Sequence, residues 1–199
     1  MHSVRICSAL LLALLPVLLR AQADEADDIQ LSAAFEASID LRVTEGDNIS
    51  FVVATTSEYT GGLASPYQYF SEFTVTSSTA FQVVLSASDL ADGAGRTLDI
   101  RNLGCRLTDY GTHSAGVQHL LMGGAASPSP LALLGPSLTL ISATGSGNAG
   151  TAAQNRFRIQ FELATPELRA LSGLPTLLEQ RIAPGVYRTV ILLTASPMP

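Results

Sequence analysis

The chain has 199 residues, 47% of them hydrophobic, with a formal net charge of −6 and no lysine. That length allows one large or two small domains with a core that buries most of the apolar surface. An acidic chain with no basic stripe to release phosphate counterions argues against nucleic-acid binding.

Residues 1–23 carry the three parts of an export signal: Arg5 near the start, an apolar block at residues 9–19, and the small-residue site Ala21-Gln22-Ala23. The block is too short to cross a bilayer as a helix, and Arg20 closes it. The expectation is a cleavable signal, a mature chain of about 176 residues, and export to the periplasm, cell surface or medium; an uncleaved anchor is the alternative. Cys7 leaves with the signal, so Cys105 remains alone and no intrachain disulfide forms. Its neighbours Leu103-Gly104 and Arg106-Leu107 favour a buried, inert thiol over an intermolecular bridge.

Residues 24–28 (Asp-Glu-Ala-Asp-Asp) read as a flexible acidic leader. From Ile29 to Val43 every odd position is apolar, the period of a strand with one buried face. At about 3.3 Å per residue that run would measure roughly 50 Å, against a usual strand of about 17–20 Å. Either the chain bends near Ala33-Ala34 and passes between sheets, or its first half is an extension available to something else.

Turn signals and alternation then repeat. Glu45-Gly46-Asp47-Asn48 precedes Ile49, Phe51 and Val53 on one face; Gly61-Gly62 and Pro66 precede Tyr67, Tyr69, Phe73 and Val75. Phe81, Val83, Leu85 and Ala87 follow, then the turn at residues 92–95 with Leu98 and Ile100 beyond it. Residues 111–136, with Gly123-Gly124 and Ser127-Pro128-Ser129-Pro130, read as a long mobile connection. Leu138 and Leu140 begin another strand; Phe157, Ile159, Phe161 and Leu163 alternate with polar residues; the last strand spans residues 186–195 after Pro184-Gly185. Thr165-Pro166-Glu167, with Gly173 as a stop, marks a short helix. The pattern predicts an all-β fold, an immunoglobulin-like antiparallel β-sandwich with one short helix near residues 165–172, in a single domain over residues 29–199.

Chemistry-bearing motifs are sparse. No Gly-x-Ser-x-Gly elbow occurs, and a Walker-type phosphate loop needs a lysine the chain lacks. Cys105, Asp109, His113 and His119 lack zinc-site spacing, and exposed loop histidines are the plainer reading. Asp89, Asp92 and Asp99 around Gly93 and Gly95 lack the spacing of a calcium loop and read as a solvated turn. Tyr59, Tyr67 and Tyr69 offer rings for sugar stacking, but the shared odd-numbered face of Tyr67 and Tyr69 with Phe73 favours a place over the core. The expectation is a protein that is not an enzyme and holds no cofactor or metal.

Four stretches carry a resemblance: Ile39-Asp40-Leu41-Arg42-Val43, residues 73–78 (Phe-Thr-Val-Thr-Ser-Ser), residues 81–87, and residues 183–194 with Pro184-Gly185-Val186-Tyr187. The chain resembles exported bacterial surface proteins of the fimbrial and spore-coat-U-like kind. The resemblance implies a cell-envelope or fimbria-like structural or adhesive subunit. In chaperone–usher pili an alternating N-terminal extension completes the sandwich of the next subunit, which makes Ile29, Leu31, Ala33 and Phe35 the implied partner strand. An ordinary first strand with a bulge is the plainer reading of those residues. The alternative function is a secreted monomeric module for a carbohydrate or another ligand. Expected partners are copies of itself or other envelope proteins, with no nucleic acid and no transmembrane segment in the mature chain.

Overall fold

A period of two sends alternate side chains to opposite faces of a strand, and here it recurs often enough to build two sheets. The computed structural model describes residues 37–113, 118–120, 129–143 and 147–198. They belong to a compact unit, Glu36–Pro199, so the signal, the acidic leader and the partner strand expected at Ile29, Leu31, Ala33 and Phe35 lie outside the described residues. The strands are β1 (Ile39–Glu45), β2 (Leu63–Ala64), β3 (Phe70–Ser77), β4 (Phe81–Ala87), β5 (Leu90–Ala91), β6 (Thr97–Leu98), β7 (Leu103–Asp109), β8 (Gln118–Leu120), β9 (Ala132–Leu133), β10 (Leu138–Ala143), β11 (Arg156–Leu163) and β12 (Ile191–Pro197).

Among the described residues every pairing is antiparallel. The first sheet runs β1-β3-β11-β7-β9, with β2 added on β11; the second runs β12-β4-β10-β8; β5 and β6 form a small ribbon. The chain thus forms the expected all-β antiparallel sandwich. Phe73 and Val75 of β3, Leu107 of β7, and Phe157 and Ile159 of β11 face Phe81, Val83 and Leu85 of β4 and Leu140 of β10, all fully buried. Phe73 and Phe157 are register partners whose rings stack 5.2 Å apart. Cys105 is buried among them, and burial pushes its thiol up to about 12; a bridge to another folded copy would require the strand to open.

Buried polar groups complete the ladders where strands run out. The Asn148 amide receives the Phe81 N–H at 2.8 Å and donates to the Phe81 carbonyl at 3.0 Å, as a neighbouring strand would.

Among the described residues two α-helices accompany the sandwich: α1 (Thr56–Gly61) and α2 (Pro166–Ser172). The second is the expected helix, with Thr165 as N-cap, Pro166 in the first turn, Gly173 left-handed at the end and Leu168 buried. The first is additional to the one expected. Thr55 and Glu58 form a reciprocal capping box, with Glu58 Oε2 accepting the Ala54 and Thr55 N–H groups at 2.8 Å each. Those hydrogen bonds hold the Glu58 carboxyl below its ordinary value.

Two segments depart from the expected pattern. Residues 111–136 contain β8 and β9 among their described parts, because Leu131 and Leu134 bury themselves and Ser129 exchanges backbone and side-chain bonds with Leu107. The last strand begins at Ile191 rather than at residue 186, since residues 186–190 leave the sheet and, among the described residues, only Arg188 makes a backbone bridge, to Ala91. Within the expected turn motif, the Tyr187 hydroxyl donates to the Ala183 carbonyl at 3.1 Å and its ring packs against the core. No helix among the described residues is long and apolar enough to cross a membrane.

Candidate functional sites

The fold does not gather the residues weighed from sequence as ligands into one cluster, although His113 lies close enough to Asp109 to act on its carboxyl. Cys105 sits in mid-strand in the core, Asp109 ends the same strand, and His119 lies on β8 rather than in a loop. His113 is half-buried and its Nε2 is buried without a hydrogen-bond partner. Among the described residues no group of three or more His, Cys, Asp or Glu is placed to hold a metal. The three aspartates around residues 89–99 serve backbone instead. Asp89 accepts from the Ile100 N–H, Asp92 from those of Ala94 and Arg96, and Asp99 from that of Arg101. Of the tyrosines considered for sugar stacking, Tyr69 is 5% exposed and its ring lies tilted against that of Phe51, with centroids 4.3 Å apart. Tyr59 packs against the core. Tyr67 does not share the fate of Tyr69: at 87% exposed it stands in solvent, because the chain turns at residues 66–68 and the alternation restarts only at Phe70.

Tertiary structure creates two features instead. The first is a groove of about 980 Å³ with an apolar floor between the two sheets, on the side where the edge strands β1 and β12 approach each other. Its floor includes Ile159, Phe161 and Leu163 of β11, and its walls are the extended residues 49–53 and 186–190. Ile49, Phe51 and Val53 turn toward the core as their alternation dictates. The backbone of residues 49–53 nevertheless has no hydrogen-bond partner among the described residues. The chain arrives there through a bulge between Val43 and Glu45 and a turn at Gly46, whose φ of 69° suits glycine. The Ser71 hydroxyl donates to the Gly46 carbonyl and fixes that turn. Val52, Val186 and Val190 are exposed at or beside the groove's rim.

The second feature lies on the opposite, outer face of the first sheet. Even-numbered positions of β3, β7 and β11 point outward there, and they carry charge. Glu72, only 3% exposed, accepts from Arg156 Nη2 at 2.6 Å and from Arg158 Nε and Nη2 at 2.9 and 2.5 Å. Burial pushes the Glu72 carboxyl up, but the two guanidinium groups outweigh it and hold the carboxyl below its ordinary value. Arg106 makes the matching pair with Glu162 at 2.9 Å and reaches Glu167 of α2 at 2.6 Å.

Beside Arg158 a recess of about 440 Å³ opens between Pro66 and Tyr110, with Thr108, Asp109, Gly111 and Gln160 completing its lining. The Arg158 guanidinium carbon lies 4.3 Å from the Phe70 ring centre and 5.3 Å from that of Tyr110. Asp109 Oδ1 accepts the Gly111 N–H at 2.7 Å. Burial pushes the Asp109 carboxyl up, with that hydrogen bond and the charge of His113 opposing. Gly111 has no room for a side chain, since a Cβ there would overlap the Gln154 carbonyl, which pins the loop behind Tyr110. The sequence marked Arg156, Arg158 and Gln160 only as the polar half of an alternating strand. Tyr110 and Glu72 carried no local signal, because their importance arises from strands distant in sequence.

No family model matches the chain, and no curated protein does. Among solved structures, one similar chain comes from the structural analysis of glycolipid glycan hydrolysis by a family 123 glycoside hydrolase from Clostridium perfringens. It is 12% identical, with 81% of this chain and 25% of that chain covered and a TM-score of 0.34. This chain therefore spans about a quarter of that protein's length. The expectation that the protein is not an enzyme is corrected by this finding, the similar structure being an enzyme's, and it is dropped. A likeness this distant assigns no activity to the chain.

Proposed function

We propose that the protein is an exported cell-envelope or fimbria-like structural or adhesive subunit that assembles by β-strand pairing. The observation that carries the proposal is the open groove, walled by two extended segments whose backbones are largely unpaired among the described residues. Unpaired backbone beside an apolar channel is what strand addition uses. Main-chain hydrogen bonds give affinity, and alternate side chains fill the channel. The occupant is Ile29, Leu31, Ala33 and Phe35 of another copy, whose spacing puts four apolar side chains on one face. The acidic residues 24–28 ahead of them would remain in solvent.

The test compares envelope preparations in detergent before and after heating, with the natural chain beside a variant carrying Leu31→Asp and Phe35→Asp. A heat-sensitive ladder that disappears in the variant is expected. A monomer in both lanes of the natural chain, or a ladder unchanged by the two charges, overturns the proposal. The alternative expectation, a monomeric ligand-binding module, draws on the recess beside Tyr110.

A further inference from the structure

We infer that the recess between Pro66 and Tyr110 on the outer face of the first sheet is a binding site for a neutral pyranose ring. The inference does not depend on strand-mediated assembly, since the recess lies on the face turned away from the groove.

A sugar ring needs two things of a protein: a flat apolar surface for its C–H face, and planar polar groups that both donate and accept for its hydroxyl rim. The recess offers both. Tyr110, half exposed, and Pro66 both line it and supply apolar surface. Between them lie polar atoms without a partner among the described residues: Arg158 Nη1, the Gln160 amide, the Thr108 hydroxyl, and the Asp109 carboxylate oxygen not bonded to Gly111. Their positions are set by the ladder. Arg158 is the register partner of Glu72 on one side and of Thr108 on the other. Gln160 is the register partner of Phe70. The guanidinium is further locked by Glu72 and by its place over the Phe70 ring. A preset donor of this kind loses little rotamer freedom on binding.

Charge selects among ligands. One carboxylate, Glu72, serves both Arg156 and Arg158, and Asp109 brings a second carboxylate to the wall, so two guanidinium groups and two carboxylates balance around the recess. With no net positive charge to hold it, a phosphate or carboxylate gains nothing in the recess and meets the Asp109 carboxylate directly, whereas neutral hydroxyls can donate to Asp109 and accept from Arg158 and Gln160. The recess volume falls within the range of small-ligand sites.

Saturation-transfer NMR on the mature protein, using the methyl glycosides of glucose, galactose and mannose with lactose and cellobiose, tests the inference. At least one sugar is expected to bind saturably. Tyr110→Ala and Gln160→Ala should each weaken that binding about tenfold or more, with circular dichroism unchanged, while Val52→Ser at the groove should leave it alone. The inference is overturned if no sugar binds saturably up to about 10 mM. Equal affinity in both recess variants overturns it too, as does tighter binding of glucose 6-phosphate than of methyl glucoside.

Discussion

The two sides of the sandwich handle exposed surface in opposite ways. At the groove Ile49, Phe51 and Val53 point inward, but the backbone of residues 49–53 has no partner among the described residues and valines stand at the rim. On the outer face of the first sheet the backbone is fully laddered by β3, β11 and β7, and it is the side chains that remain partly unsatisfied. The contrast separates two kinds of recognition. Unpaired backbone beside an apolar channel suits another strand, whatever its exact sequence, whereas fixed polar side chains around a ring suit one small ligand.

Substitutions that remove the scaffold shared by both sides should have the largest effect. Phe157→Ala empties the centre of the core, where its ring stacks on Phe73. It should cost about 3–5 kcal/mol in urea unfolding and abolish both assembly and sugar binding. Loss of only one of those functions would break the view that a common core positions both.

A smaller effect is expected at Glu72, which supports the outer face alone. Glu72→Gln leaves the Arg158 guanidinium without its charged partner and should cost about 1–2 kcal/mol at neutral pH. Because the folded carboxyl is held below its ordinary value of 4.5, its stabilisation is present above that pH and is lost as pH falls through the depressed folded value. Melting temperatures of the natural chain and the variant should therefore converge on acidification below 4.5. A gap that persists to the lowest pH would show that shape, not charge, is what Glu72 contributes.

The smallest effect on stability is expected at the groove's rim. Val190 is 80% exposed, so Val190→Asp should change the unfolding free energy by no more than about 0.5 kcal/mol while suppressing the heat-sensitive ladder. If the ladder persists, the strand enters elsewhere. Cys105 supplies a control on integrity: with burial holding its thiol at about 12, a disulfide reagent at neutral pH should label it only after denaturant is added.

Much of the fold was legible because strand alternation and turn residues act locally. Phe81, Val83 and Leu85, or Phe157, Ile159 and Phe161, declare a buried face by spacing alone, and Thr165-Pro166 with Gly173 announces α2. The helix α1 was equally legible through Thr55 and Glu58, three residues apart, but its six residues carry no apolar stripe and none of them is buried. The period of two misleads at Tyr67, where a turn resets the phase before β3 begins. A period of two likewise places Ile49, Phe51 and Val53 inward without saying whether a neighbour will pair with their backbone.

The sequence by itself determined which residues alternate, where the chain turns, and which side chains seek the core, because those follow from covalent geometry and the hydrophobic effect over a few residues. The tertiary structure alone decided that Glu72 would join Arg156 and Arg158 and that Tyr110, Pro66 and Arg158 would line one recess. It also decided that residues 49–53 and 186–190 would flank an open groove. Those outcomes depend on strand order and register, which are fixed by how two whole sheets pack, and no local run of residues encodes them.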